Sequence, residues 1–201
     1  LQPDLYAEDV AKVMQQGRTP AGMHRPICVH EILDFPKIKP GQTGLDATLG
    51  YGGHSLEILK AITPGGKLYA IDVDAMELPR TKERLAALGY GEDVLIVKKL
   101  NFSNIDLITE EAGPLDFVLA DLGVSSMQID NPERGFSFKV DGPLDLRLNP
   151  SSGKSATDLL KTISEEELAA LFLQNSDEPF YQIIARAVTN KISKGFILDT
   201  T

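Results

Sequence analysis

Apolar residues along this chain fall into short runs separated by amphipathic stretches, the pattern of β-strands joined by crossover helices. Leu45 to Leu49 reads as a buried strand that runs into Gly50-Tyr51-Gly52-Gly53-His54-Ser55. Ser55 to Ile62 then reads as a helix stopped at Pro64-Gly65-Gly66, and Lys67 to Asp72 as a second apolar strand. Asp74 to Leu88 reads as the next helix, closed by Gly89, and Asp93 to Lys98 as a third strand. Asn101 to Asn104 is a polar turn, a short helix follows to about Ala112, and Leu115 to Gly123 reads as a fourth buried strand. Strand and helix steps in this order predict an α/β fold with a parallel sheet. Its strand carboxyl ends share one edge, where ligands of open α/β sheets bind.

The pattern changes after Gly123. From Val124 to Gly153 there is little periodicity and many turn formers, among them Asn131-Pro132, Arg134-Gly135, Asp141-Gly142-Pro143 and Asn149-Pro150. A loop of roughly 30 residues without regular structure is uncommon unless it is functional. Ala156 to Lys161 then reads as helical, Ser164 to Glu167 as a capping box opening a helix through Phe172, and Asp177 to Ile192 as another helix. The expected division is a sheet unit over 1–123 and a loop-and-helix unit over 124–201. A sheet of four strands without a fifth would leave an apolar edge open. The expectation is therefore that the chain stops before the sheet is complete, and the lack of an initiator Met likewise suggests a fragment.

Composition narrows the classes. The apolar share of 42% is ordinary for a soluble globular protein. No apolar run reaches the ~20 residues of a membrane span, and the first residues, Leu1 to Asp9, have no signal-peptide pattern. Cys28 is the single cysteine. It excludes an intrachain disulfide, fits a reducing cytoplasm, is too isolated for a metal site, and is expected in the core. The formal charge of −9 disfavours a broad grip on phosphate backbone. From Ser125 to Ser155, however, four basic residues balance four acidic ones.

Candidate chemistry gathers at the strand ends. Gly50 and Gly52 let a ligand approach the backbone, and Asp72 stands 22 residues after Gly50. That spacing suits a carboxylate accepting hydrogen bonds from the two hydroxyls of a ribose. The third glycine of a dinucleotide fingerprint is replaced by Ser55, which leans the site toward S-adenosylmethionine and away from a pyrophosphate. Phe102, after the third strand, is read equally as an adenine contact or a core aromatic. Asp121, at the end of an apolar run, is read as functional, because a carboxylate there is costly unless paired or facing a cleft. Gln128 by itself reads as a surface residue. Arg134, Phe136 and Arg147 could clamp a phosphate and stack an extruded base; a loop satisfied by its own pairs, such as Asp145 with Arg147, is the equal alternative.

The motifs are His24-x-Pro26 with Glu31, Asp46 to Ser55, Ala70-Ile71-Asp72-x-Asp74, Asn101-Phe102-Ser103, Asp121 to Ser126 with Gln128, Glu133 to Phe138, and Asp141 to Asp145 with Arg147. Taken together, they resemble the RsmH/MraW family, bacterial enzymes that methylate the N4 amine of a cytidine in small-subunit ribosomal RNA. The match runs from His24 to about Ile192. It implies a Rossmann-like class I methyltransferase sheet with an inserted helical subdomain for substrate recognition. It further implies S-adenosylmethionine as cofactor, held by Gly52, Gly53, His54, Asp72, Phe102, Asp121 and Gln128. Tyr51 stands where Arg is common in the family, and Leu146 and Leu148 where Met is usual. The family's later strands, with a Ser-Phe-His-Ser-like motif, have no counterpart here.

The expected reaction is methyl transfer to the N4 amine of a cytidine in the decoding region of 16S rRNA. Asp121 and Ser125 are the catalytic candidates, with the Asp121 carboxylate or the backbone from Leu122 to Ser125 accepting an N–H of the amine. The cofactor role implied for Asp121 competes with this one. The expected partner is ribosomal RNA within the assembled small subunit; no membrane and no metal are expected, a homodimer is left open, and the location is cytoplasmic. The alternatives are a nucleotide-dependent oxidoreductase, a catalytically inactive cofactor- or RNA-binding fragment, and a methyltransferase acting on another nucleic acid or a small molecule.

Overall fold

The computed structural model describes residues 26–196 and 198–201. His24 and the first nine residues, used above, lie outside them. The described residues fall into two compact units that divide between Leu122 and Gly123.

The first unit is built on a parallel sheet of β1 (Thr43–Asp46), β2 (Lys67–Asp72), β3 (Leu95–Lys99) and β4 (Phe117–Leu119), in the order β3-β2-β1-β4. Its helices are α1 (Val29–Asp34), α2 (Gly53–Ile62), α3 (Glu77–Ala87) and α4 (Asp106–Ala112). Strand β2 shows why the sheet is covered on both faces. Leu68 and Ala70 pack with Ile58, Leu59 and Ile62 of α2 and Leu85 of α3. Tyr69 and Ile71 point the other way, toward Leu45, Ala47 and Ile108 of α4. Side chains alternate along a strand, so a strand covered on both sides must be apolar at every position. Leu68, Ala70 and Ile71 have no exposed surface. Burying each of the larger two stabilises the unit by about 1.5–3 kcal/mol.

The chain winds outward from β1 through β2 to β3 and then returns to the other side of β1 for β4. The carboxyl end of β1 is therefore a topological switch point, where crevices of open sheets form.

Several expected bounds shift. The fourth strand, expected over Leu115 to Gly123, is reduced to Phe117–Leu119, because among the described residues it pairs only with β1. Val118 on this edge is 51% exposed. The helix after the glycine turn begins at Gly53, two residues early. The next begins at Glu77, because the Asp74 carboxylate accepts from the N–H groups of Met76 and Glu77 and holds the chain in a turn first. Cys28, expected in the core, is exposed. It sits at the N-cap of α1 with φ of 50°, a cap position outside the packed face.

In the second unit α5 (Ser126–Asp130) and a 3-10 turn at Pro132–Arg134 give regular structure to a segment expected to have none. Then come α6 (Ala156–Leu160), α7 (Glu165–Ser176) and α8 (Tyr181–Ser193). The capping box opening α7 forms: Glu167 N–H donates to Ser164 Oγ at 3.2 Å and Ser164 N–H donates to Glu167 Oε2 at 3.0 Å. Helix α7 runs four residues past Phe172 and ends where Asp177 adopts a left-handed φ of 49°, which also delays the start of α8. Leu168, Ala169 and Ala185 form the core of this pair.

One glycine is dictated by packing. Gly44 in β1 pairs with Phe117 in β4, and a Cβ at Gly44 would lie 2.1 Å from the Phe117 ring. Gly44→Ala should therefore destabilise the first unit by about 1–3 kcal/mol through overpacking. Urea unfolding followed by circular dichroism checks this, and an unchanged midpoint contradicts it.

Candidate functional site

Strand β1 ends in a carboxylate with 1% exposure, Asp46, and the turn that follows is built around it. Asp46 Oδ1 accepts from the Thr48 N–H at 3.0 Å, and Oδ2 accepts from Ser55 Oγ at 2.6 Å. Ser55 is buried in the first turn of α2. This explains a serine where a dinucleotide fold would place its third glycine. The hydroxyl is needed to satisfy a buried acid, which would otherwise be costly. Thr48 carries the connection further, since its Oγ1 accepts the Asp121 N–H at 2.8 Å. The ends of β1 and β4 are thus joined through Asp46 and Thr48.

The glycine turn lies against the end of β2. Asp72 Oδ2 accepts the Gly50 N–H at 2.7 Å, and Oδ1 accepts the Asp74 N–H at 2.9 Å. A carboxylate has about four lone-pair sites, so these two bonds leave capacity for further donors. At the other side of the turn Gly52 has φ of 78°, and a Cβ there would lie 2.8 Å from Thr81 Cγ2 of α3. Both conformation and space require glycine at this position.

His54 opens α2 and links three segments. Its Nε2 is 2.9 Å from the Ile27 carbonyl, and its Nδ1 is 3.6 Å from Asp121 Oδ2. A carbonyl only accepts, so Nε2 carries a proton, and a protonated ring would pair with Asp121 across Nδ1. The Asp121 side chain is 53% exposed. Phe102 follows β3 in a short 3-10 turn and is 50% exposed. Its reading as a core aromatic is corrected accordingly. In the first unit, then, Gly52, Gly53, His54, Phe102 and Asp121 follow strand carboxyl ends of one parallel sheet, and Asp72 is itself the last residue of β2.

Ser125 and Gln128 lie in the second unit, where they act on each other. Ser125 caps α5 by accepting the Gln128 N–H, and Gln128 Oε1 accepts the Ser125 N–H at 2.9 Å. Gln128 is buried, not a surface residue. The spacing Ser-x-x-Gln was the available signal for this pairing.

Of the two readings of Arg134 and Arg147, the hydrogen bonds follow the loop satisfied by its own pairs. Arg134 is 5% exposed, and its Nη2 donates to the carbonyls of Arg147 and Leu148 at 3.2 and 2.9 Å. Arg147 forks onto Asp145, with Nε 2.8 Å from Oδ1 and Nη2 2.6 Å from Oδ2, and donates to the Gly153 carbonyl at 3.2 Å. The guanidinium beside it holds the Asp145 carboxyl below the usual carboxylate range. Both arginines build the loop. Phe136 is partly buried, with the Arg134 guanidinium 6.0 Å from its ring centre, whereas Phe138 is 81% exposed. The buried members that sequence reasoning missed are Asp46, Asp74 and Thr81. Asp46 and Asp74 stand in quoted motifs, but neither motif says which acid is buried.

Residues 21–201 match the MraW methylase family. A protein named ribosomal RNA small subunit methyltransferase H 2, from Alkaliphilus metalliredigens, is 67% identical over 201 residues, covering 100% of this chain and 58% of its own length. One named ribosomal RNA small subunit methyltransferase H 1, from Lachnoclostridium phytofermentans, is 61% identical over 200 residues, covering 100% of this chain and 55% of its own. The chain spans somewhat more than half the length of these curated relatives. No helix among the described residues is long and apolar enough to cross a membrane.

Burial pushes the Asp46 carboxyl up from its ordinary value of 3.8, against the lowering effects of Ser55, Thr48 and the nearby His54. The folded protein therefore binds a proton here more readily than the unfolded chain does. The stabilising contribution is fully present below pH 3.8 and is lost as pH rises through the higher folded value. Asp46→Asn removes that titration. The stability difference, wild type minus D46N, should decline as pH rises from about 3.5 in stepped urea unfolding. A difference that stays level contradicts the buried-acid assignment.

Proposed function

We propose, because the chain belongs to the MraW methylase family, that its strand-end crevice binds S-adenosylmethionine. The whole protein to which it corresponds would transfer the methyl group to the N4 amine of a cytidine in small-subunit ribosomal RNA. The observation that carries the cofactor part is the Asp72 carboxylate, 2.7 Å from the Gly50 N–H at the switch point of the sheet. A carboxylate there fits the vicinal hydroxyls of a ribose, and the half-exposed Phe102 beyond β3 offers a ring face to an adenine. Gly52, Gly53 and His54 would line the turn, with Asp121 at the far side. Gln128 and Ser125 belong to the same reading.

When bound, the sulfonium supplies a methyl group already activated by its positive charge. What remains for the protein is positioning and handling of a proton. Asp121 is proposed to accept an N–H of the cytosine amine, whose lone pair is otherwise delocalised into the ring. Its backbone is pinned by Thr48, and its half-exposed carboxylate lies 3.6 Å from His54 Nδ1. A base has to leave its stack to reach such a site. The acidic balance of the chain favours an assembled ribosomal particle over bare RNA as substrate, and the single cysteine fits the cytoplasm as the place of action.

Calorimetric titration tests the cofactor site directly. S-adenosylmethionine should bind the chain and NAD should not. Asp72→Ala should weaken binding by roughly ten-fold or more, the worth of hydrogen bonds to a charged acceptor. Binding of NAD alone, or binding indifferent to Asp72, would overturn the reading. For the reaction, radiolabelled methyl groups should pass from the full-length protein to small subunits that lack the modification.

A further inference from the structure

Thr81, Arg84 and Tyr51 have no part in the reading above, yet they form a connected arrangement behind the glycine turn. Thr81 is a polar side chain without exposure in the middle of α3. Its Oγ1 donates to the Gly50 carbonyl at 2.7 Å and accepts from Arg84 Nη2 at 2.9 Å. The same guanidinium nitrogen donates to the Tyr51 carbonyl, and Arg84 Cζ stands 3.6 Å from the centre of the Tyr51 ring. Two successive carbonyls of the turn are therefore held toward α3. In a trans peptide the N–H points opposite to the C=O. Drawing the Gly50 carbonyl toward α3 turns the Tyr51 N–H to the other side of the loop. Asp72 meanwhile holds the Gly50 N–H from β2, so the turn is gripped from two elements at once.

The arrangement is specific in its chemistry. A hydroxyl that donates once and accepts once relays the guanidinium to the Gly50 carbonyl, and each bond polarises the next. A planar guanidinium can stack on a ring while its edge donates, which an ammonium cannot do. Simple helix packing would need neither the hydroxyl nor the fork.

We propose that Thr81 and Arg84 are positioning residues for S-adenosylmethionine: without touching it, they hold the Gly50–Gly52 turn in the shape that receives it. The proposal rests on the reading of the strand edge as the cofactor site.

The test compares Thr81→Val, which keeps the shape and loses the hydroxyl, with Thr81→Ser, which keeps the hydroxyl, and with Arg84→Gln. Titration of the chain with S-adenosylmethionine should show T81V and R84Q on the order of ten-fold weaker, with T81S within about two-fold of the unaltered chain. Hydrogen exchange without any cofactor gives a second readout. The amides of Gly50 to Gly53 should exchange on the order of ten-fold faster in T81V, with those inside β1 and β2 unchanged. Wild-type affinity in T81V would overturn the proposal. So would exchange that quickens equally through β1 and β2, since that marks a general loss of stability. Failure of the unaltered chain to bind is a different outcome: it sinks the cofactor reading, and this inference with it.

Discussion

A carboxylate almost without solvent contact, Asp46, organises the ligand edge of the first unit. Taking an acid out of water is expensive unless its oxygens are hydrogen-bonded. Here the two partners are the Thr48 backbone N–H and the Ser55 hydroxyl, which follow β1 and open α2. Meeting the needs of one buried acid thus sets the path of the chain out of β1. It also sets the start of the helix and, through the Thr48 hydroxyl, the position of the Asp121 backbone after β4.

Three acids at strand ends consequently have three different fates. Asp46 is consumed by structure and burial pushes its carboxyl up. Asp72 is shared, binding the backbone of the turn while keeping lone pairs to spare. Asp121 is held by its backbone and faces His54 with its side chain half open to solvent. The division follows burial, from Asp46 with 1% exposure, through the partly buried Asp72, to Asp121 two residues beyond the end of β4, and it separates residues that shape the crevice from those that could meet a ligand.

The alternation of strands and helices was legible because strands covered on both faces are rich in apolar residues, which the run from Leu68 to Ile71 shows most clearly. The closeness of Asp72 to the glycine turn was legible from spacing, since adjacent parallel strands in a β-α-β unit bring their carboxyl ends together. What stayed hidden depended on partners distant in sequence. The fourth strand reads as nine residues but pairs over three, because its length is set by neighbours. The pairing of Asp145 with Arg147 was legible from their spacing as one of two equal readings, whereas the backbone carbonyls that hold Arg134 are supplied by the fold. Cys28 follows the usual preference for burial until the cap geometry of α1 is known. Ser125 and Gln128 carry the Ser-x-x-Gln spacing of a capping box, a signal local enough to be legible in the sequence.

The central claim is that the carboxyl ends of β1 to β4 form one cofactor crevice. Amide chemical-shift mapping during titration of the isotopically labelled chain with S-adenosylmethionine tests it most directly. The account predicts shifts concentrated at Gly50 to His54, Asp72 to Asp74, Asn101 to Ser103 and Asp121. Shifts confined to α7 and α8, or scattered without any cluster at those strand ends, would contradict it.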